Sequence, residues 1–215
     1  MLLTADDHAT LEELAPVVRR ALGLDPRSLA RLRLSGAAAT VLVRLPFRVL
    51  VSRTVAMPER EQPLDVTVRA ADLVSWLDAG PGAAEPKRFD LAWRAGLPPQ
   101  SGWRRIESIP DDVLRGLVRS GSTALKEAAV RAGVPGAQPR AEVADALLDS
   151  VVLTATDDAG SSAEVTLRVV SALTRMGFLP RGGHAHIDVA GRWIRVVAEY
   201  GTVYLERPGQ TLGLA

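Results

Sequence analysis

Cysteine is absent from the 215-residue chain. That excludes disulfides, thiolate nucleophiles, Cys-ligated zinc and iron–sulfur clusters, and is neutral about compartment. Lysine is nearly absent as well: of 26 basic residues only Lys87 and Lys126 are lysine. The arginine bias, with abundant Ala, Gly and Val, reads as the signature of a GC-rich, bacterial-like genome more than as phosphate binding. Excess charge is also missing. A formal net charge of +1 provides no global pull toward nucleic acid or an anionic membrane. The strongest apolar segment, Val41 to Val51, is interrupted by Arg44 and Arg48 and is too short to span a bilayer. Met1 to Thr10 contains Asp6 and Asp7, with neither a basic n-region nor an apolar h-region. The expectation is a soluble, cytoplasmic protein with no membrane partner.

Catalytic signatures are lacking too. There is no Gly-x-Ser-x-Gly elbow, no phosphate-cradling glycine loop with a lysine and no dinucleotide fingerprint. Asp157-Asp158 stands beside Gly160 and reads as turn chemistry rather than as a paired acid and base. No cofactor is implied by these patterns.

What is present is ordinary globular material: 47% hydrophobic and 24% charged residues, enough for one large domain or two small ones. The patterning predicts an α+β fold of two helix-plus-antiparallel-sheet lobes with a helical section between them. The first lobe is residues 1–79. Leu11, Leu14, Val18, Ala21 and Leu22 make a helical stripe ending at Gly23, and Pro16 either kinks that helix or starts a shorter one. Leu29 to Leu34 reads as a strand closed by Ser35-Gly36. Val41, Val43, Leu45, Phe47, Val49 and Val51 keep one parity and read as a single unbroken strand, with Pro46 placing it at a sheet edge. A Pro-flanked loop, Met57 to Pro63, precedes a strand at Leu64 to Val68 and a short helix, Ala71 to Ala79. Residues 80–101, rich in Gly and Pro, form a linker or an ordered loop.

The second lobe is residues 102–215. Ser161 and Glu164 have capping-box spacing, and Val165, Val169, Ala172, Leu173 and Met176 repeat at helical spacing, predicting a helix over 162–176. Gly177 and Phe178 supply its stop. From 184 to 206 the period changes to two, predicting a three-stranded meander with turns at Ala190-Gly191 and Tyr200-Gly201.

Residues 111–150 carry three candidate helices: one stopping at Gly121, one capped by Ser122 and stopping at Gly133, and one opening at Pro139. Ala129, Gly133 and Val134 fall where helix-turn-helix proteins place the small residue, the turn glycine and the apolar residue after it. Residues 122–149 thus resemble that motif, and the resemblance implies DNA reading by the third helix. Two departures stand beside it. Pro135 to Gln138 lengthens the turn, and Arg104 through Asp149 holds seven basic and seven acidic residues. Candidate nucleic-acid contacts are Arg131, Arg140, Arg104 and Arg105. Trp103, beside the last two, reads as an interfacial ring flanked by snorkelling arginines.

His184, His186 and Asp188 share one face of a predicted strand, which is chelating geometry for zinc or another divalent metal. The opposing reading is a solvated strand face, since Ala185, Ile187 and Val189 already supply burial. The sequence therefore points to a non-enzymatic interaction protein with a protein partner or self-association, and DNA as its most specific candidate ligand. The alternative is a metal-dependent enzyme using His184 and His186.

Overall fold

The computed structural model describes Leu3, residues 5–132 and residues 145–207, with the side chains of 5, 6, 122 and 124–132 excepted. The chain forms two compact units, Met1–Gly96 and Leu97–Ala215. Each combines helices with antiparallel strands, so the α+β class holds.

Unit 1 consists of α1 (Ala5–Glu12), α2 (Ala15–Leu24), β1 (Leu29–Arg44), β2 (Leu50–Arg69) and α3 (Ala70–Ala79). Pro16 lies in the first turn of α2, where a missing N–H leaves no hydrogen bond unmade. Of the two expectations for Pro16, the shorter helix is the one formed. Leu11, Leu14, Val18 and Ala21 are buried, as are Leu73, Trp76 and Leu77 of α3.

The expected unbroken strand from Val41 to Val51 is corrected to a hairpin. Leu45 donates its N–H to Val49 at 2.9 Å, and Arg48 donates to Leu45 at 3.1 Å. The loop is therefore three residues long: Pro46 opens a turn closed by the Arg48 N–H, and Arg48 takes the left-handed conformation at φ 62°. The cause of the misreading is parity. Across this loop Val43 faces Val51 and Val41 faces Arg53, so odd positions stay on one face on both sides of the turn. An alternation that never slips marks a hairpin with an odd loop as well as it marks one strand.

The expected loop at Met57–Pro63, and the strand end at Ser35-Gly36, are likewise corrected. β1 and β2 run on through both, with register shifts on either side of Gly36. Gly36, at φ 55°, makes the irregularity accessible. The buried positions change parity across it, from Ala30, Leu32 and Leu34 to Ala39, Val41 and Val43. Residues beyond α3 stay attached to unit 1. Phe89 donates to the Thr67 carbonyl, and Thr67 N–H donates to Asp90 Oδ1, both at 2.7 Å.

Unit 2 consists of β3 (Arg104–Pro110), α4 (Asp111–Ala132), β4 (Val151–Thr156), β5 (Ser162–Thr166), α5 (Leu167–Arg175), β6 (His184–Ala190), β7 (Trp193–Ala198) and β8 (Gly201–Glu206). β3, β6, β7 and β8 are antiparallel neighbours in that order, and β4 pairs with β5. The meander is as the period-two pattern requires, and α5 contacts β8.

Two expectations fail here. Ser161 and Glu164 do not cap a helix: residues 162–166 are β5, and α5 begins at Leu167. Ala163 and Val165 are buried while Ser162 and Glu164 are exposed, which is strand alternation. Val165 fits both periods, and that coincidence extended the helix backward. Gly121 does not stop a helix either, because α4 runs straight through it. There α4 crosses α5 so closely that a Cβ would lie 2.5 Å from Leu167 Cδ1. Gly121 is a close-approach glycine, so the first two expected helices are one. Residues 145–148 are helical; the turn at 133–138 and the start of the third helix lie outside the described residues.

The helix stop holds in full. Gly177 takes φ 65°, Phe178 N–H donates to Leu173 at 2.9 Å and Gly177 N–H donates to Thr174 at 3.0 Å. This is the Schellman pairing.

Candidate functional site

Strand register brings the chemistry-bearing residues of unit 2 into one row. Asp188 on β6 faces Arg105 on β3 and Arg195 on β7, and Arg195 faces Tyr204 on β8. Opposite positions in antiparallel strands share a face, so the row reads cation, anion, cation, phenol. Asp188 is 2% exposed. It accepts from Arg195 Nε at 2.8 Å and from Arg105 Nε at 3.2 Å, one guanidinium on each carboxylate oxygen. The Arg195 guanidinium lies over the Trp103 ring at 4.3 Å, and Trp103 is 5.9 Å from Tyr204. Trp103 Nε1 donates to the Pro99 carbonyl at 2.8 Å, fixing the ring. The cation–π contact and the ion pair with Asp188 hold Arg195 in one place.

Arg104, next to Arg105 but on the other face of β3, pairs with Asp157 at the β4–β5 turn. The Asp157 carboxyl is held below its usual range, first by the Ser161 backbone N–H and further by Arg104. Asp157 also takes the Ala159 N–H at 3.1 Å, so turn chemistry is its occupation.

The predicted metal trio keeps its common strand face but not its solvation. His184 is exposed, His186 is half-buried, and Asp188 is enclosed and committed to two arginines. Among the described residues no three His, Asp or Glu side chains converge as a metal set. Of the predicted nucleic-acid contacts, Arg104 and Arg105 each meet a carboxylate, while Arg140 and the Arg131 side chain lie outside the described residues. Sequence reasoning missed Arg195 and Tyr204. Their signal was present: with the turn at residues 191 and 192, counting back pairs Asp188 with Arg195, whereas a turn one residue earlier does not.

Burial lowers the pKa of His186, the Arg105 charge adds to that, and Asp188 opposes it. Its Nδ1 is buried without a hydrogen-bond partner, in keeping with a neutral ring. A depressed folded-state pKa contributes stability that is full above the unfolded value and is lost as pH falls through the folded one. Urea midpoints measured from about pH 7.5 down to 5 should therefore fall below the ordinary histidine value, about 6.5. His186→Gln should flatten that limb, and an unchanged limb would assign it to other groups.

The family described as "Domain of unknown function (DUF8185)" matches residues 98–210, more than half of the chain. The chain belongs to the DUF8185 family. A second family, "Domain of unknown function (DUF8010)", matches residues 1–95. No curated protein matches the chain in sequence. Solved structures do match in fold. The DNA polymerase sliding clamp from Bacillus subtilis aligns at TM-score 0.61 and 14% identity, covering 94% of this DUF8185 chain and 65% of the clamp. The DNA polymerase III subunit beta from Borrelia burgdorferi aligns at 0.59 and 8%, covering 92% and 63%. That from Pseudomonas aeruginosa aligns at 0.56 and 16%, covering 94% and 64%. The chain therefore spans about 64% of the length of the clamp structures it matches. At these identities the likeness establishes the fold. Among the described residues no helix is long and apolar enough to cross a membrane.

Proposed function

We propose that this DUF8185 chain is a non-enzymatic interaction protein that associates with itself or with a further chain and acts on DNA. The observation that carries the reading is the clamp-like fold over 94% of the chain. The charged row in unit 2 agrees with it. Asp188 is paired with both Arg105 and Arg195, and Arg195 is stacked on Trp103, which is architecture for a rigid sheet face rather than a reactive constellation.

The test is sedimentation of the full chain alone and with duplex DNA at several salt concentrations. The expected result is a species heavier than a monomer, and DNA binding whose log affinity falls linearly with log salt. A monomer at every concentration that leaves duplex DNA unshifted at low salt would end the proposal.

A further inference from the structure

Most arginines with defined side chains are spoken for. Arg31 and Arg33 share Asp65, Arg60 meets Asp7, Arg115 meets Asp111, and Arg168 meets Asp145 and Asp149. One place gathers two arginines without such a partner among the described residues, Arg44 and Arg94, beside two that have a partner. At the tip of the β1–β2 hairpin an open cleft of about 310 Å³ is lined by Arg27, Arg44, Arg48 and Arg94, together with Ser28 and Trp93. Its one carboxylate, Asp25, accepts the Arg27 backbone N–H at 2.9 Å and lies 3.7 Å from Arg27 Nε, so it is taken up by Arg27 in shaping the loop from α2 to β1. Arg44 and Arg94 have no ion pair or hydrogen bond among the described residues.

The neutral groups agree with the charged ones. Ser28 is 5% exposed, and its Oγ is buried without a hydrogen-bond partner. Trp93 Nε1 is likewise buried and without a partner. A buried indole N–H and a buried hydroxyl left unsatisfied carry a free-energy cost that an acceptor oxygen would relieve. Guanidiniums, an indole N–H and a hydroxyl are together a set of donors. Planar guanidinium forks match the non-bridging oxygens of a phosphate two at a time.

We infer that this cleft binds the phosphodiester backbone of a nucleic-acid duplex. The inference rests on the DNA reading above and names the surface that makes the contact. All four guanidinium-bearing residues are exposed at the rim, which suits an extended polyanion running past the hairpin tip rather than an enclosed metabolite. Phosphate contacts of this kind position the protein on DNA without reading sequence. Arg48 takes the left-handed conformation at the tip, so the hairpin turn itself forms part of the cleft wall.

The experiment is fluorescence anisotropy of a labelled duplex with the full chain across a salt series. Arg44→Ser with Arg94→Ser removes two cleft charges; Arg175→Ser with Arg181→Ser removes two exposed charges in unit 2 as a matched control. Unchanged urea midpoints establish that both double variants fold. The cleft variant should bind about ten-fold more weakly, with the salt slope reduced by about 2, as two lost phosphate contacts require. The control should stay within about two-fold of the parent. Equal weakening of both variants overturns the inference, since the binding would then follow overall charge. Binding by the parent that the cleft variant retains in full also overturns it, while leaving the DNA reading intact. A parent that binds no duplex at low salt overturns both.

Discussion

Gly201→Ala is expected to destabilise unit 2 by about 2–3 kcal/mol, the upper part of the range for forcing an extra methyl into a packed core. The added Cβ would sit 2.5 to 2.7 Å from Cζ, Cε1 and Cε2 of Phe178. That ring has nowhere to go. Phe178 is fully buried, its N–H closes the α5 stop on Leu173, and its carbonyl accepts the Tyr200 N–H at 3.3 Å. The contact thus ties the end of α5 to the β7–β8 turn. Urea unfolding should show a lower midpoint with an unchanged slope. Phe178→Leu costs stability by itself, yet adding Gly201→Ala to it should cost much less than in the parent, because the clashing atoms are gone. A loss under about 0.5 kcal/mol in the parent background would show that the ring does not lie on Gly201.

The helix stop at Gly177-Phe178 and the meander after it were legible because each depends on neighbours in sequence. A left-handed glycine and a two-residue period are local facts. Failures came where one residue satisfied two patterns. Val165 sits at helical spacing from Val169 and at strand spacing from Ala163, and only pairing with β4 decides between them. Gly121 has the composition of a helix end, but its lack of a Cβ serves the crossing of α4 over α5, which no local pattern encodes. At Pro46 the alternation was read correctly and its topology was not, since an odd loop conserves parity.

The candidate site was legible to the same depth. Three of its members stand out in the sequence: His186 and Asp188 from strand parity as candidate metal ligands, and Arg105, two residues from Trp103, as a candidate nucleic-acid contact. Register between strands sets Arg195 against Asp188 and so supplies a counter-charge within the chain. The cleft at the hairpin tip was invisible for a related reason. Arg27, Arg44, Arg48 and Arg94 are spread over 68 positions, and they converge only once the chain turns back at Pro46. Net charge near zero concealed this, because acids elsewhere cancel the sum without cancelling the patch.

Asp188→Ala is the other substitution with a large expected effect, a loss of about 3 kcal/mol, the figure for removing one partner from a buried ion pair. The alanine would leave Arg195 and Arg105 as like charges on the two strands that flank β6, around a hole the size of a carboxylate. Arg105 is more than half exposed and can turn outward to water; Arg195 is only 25% exposed and is stacked on Trp103, so it carries most of the penalty. Asp188→Asn keeps the volume and one acceptor oxygen, and should lose about half as much. The decisive comparison uses Arg195→Gln as a second background. If charge pairing is the source, Asp188→Asn costs distinctly less there, with a coupling of about 1–2 kcal/mol between the two sites. Equal losses in both backgrounds would mean that Asp188 stabilises through shape and its contact with Arg105, and the row across β3, β6 and β7 would then be packing rather than electrostatics.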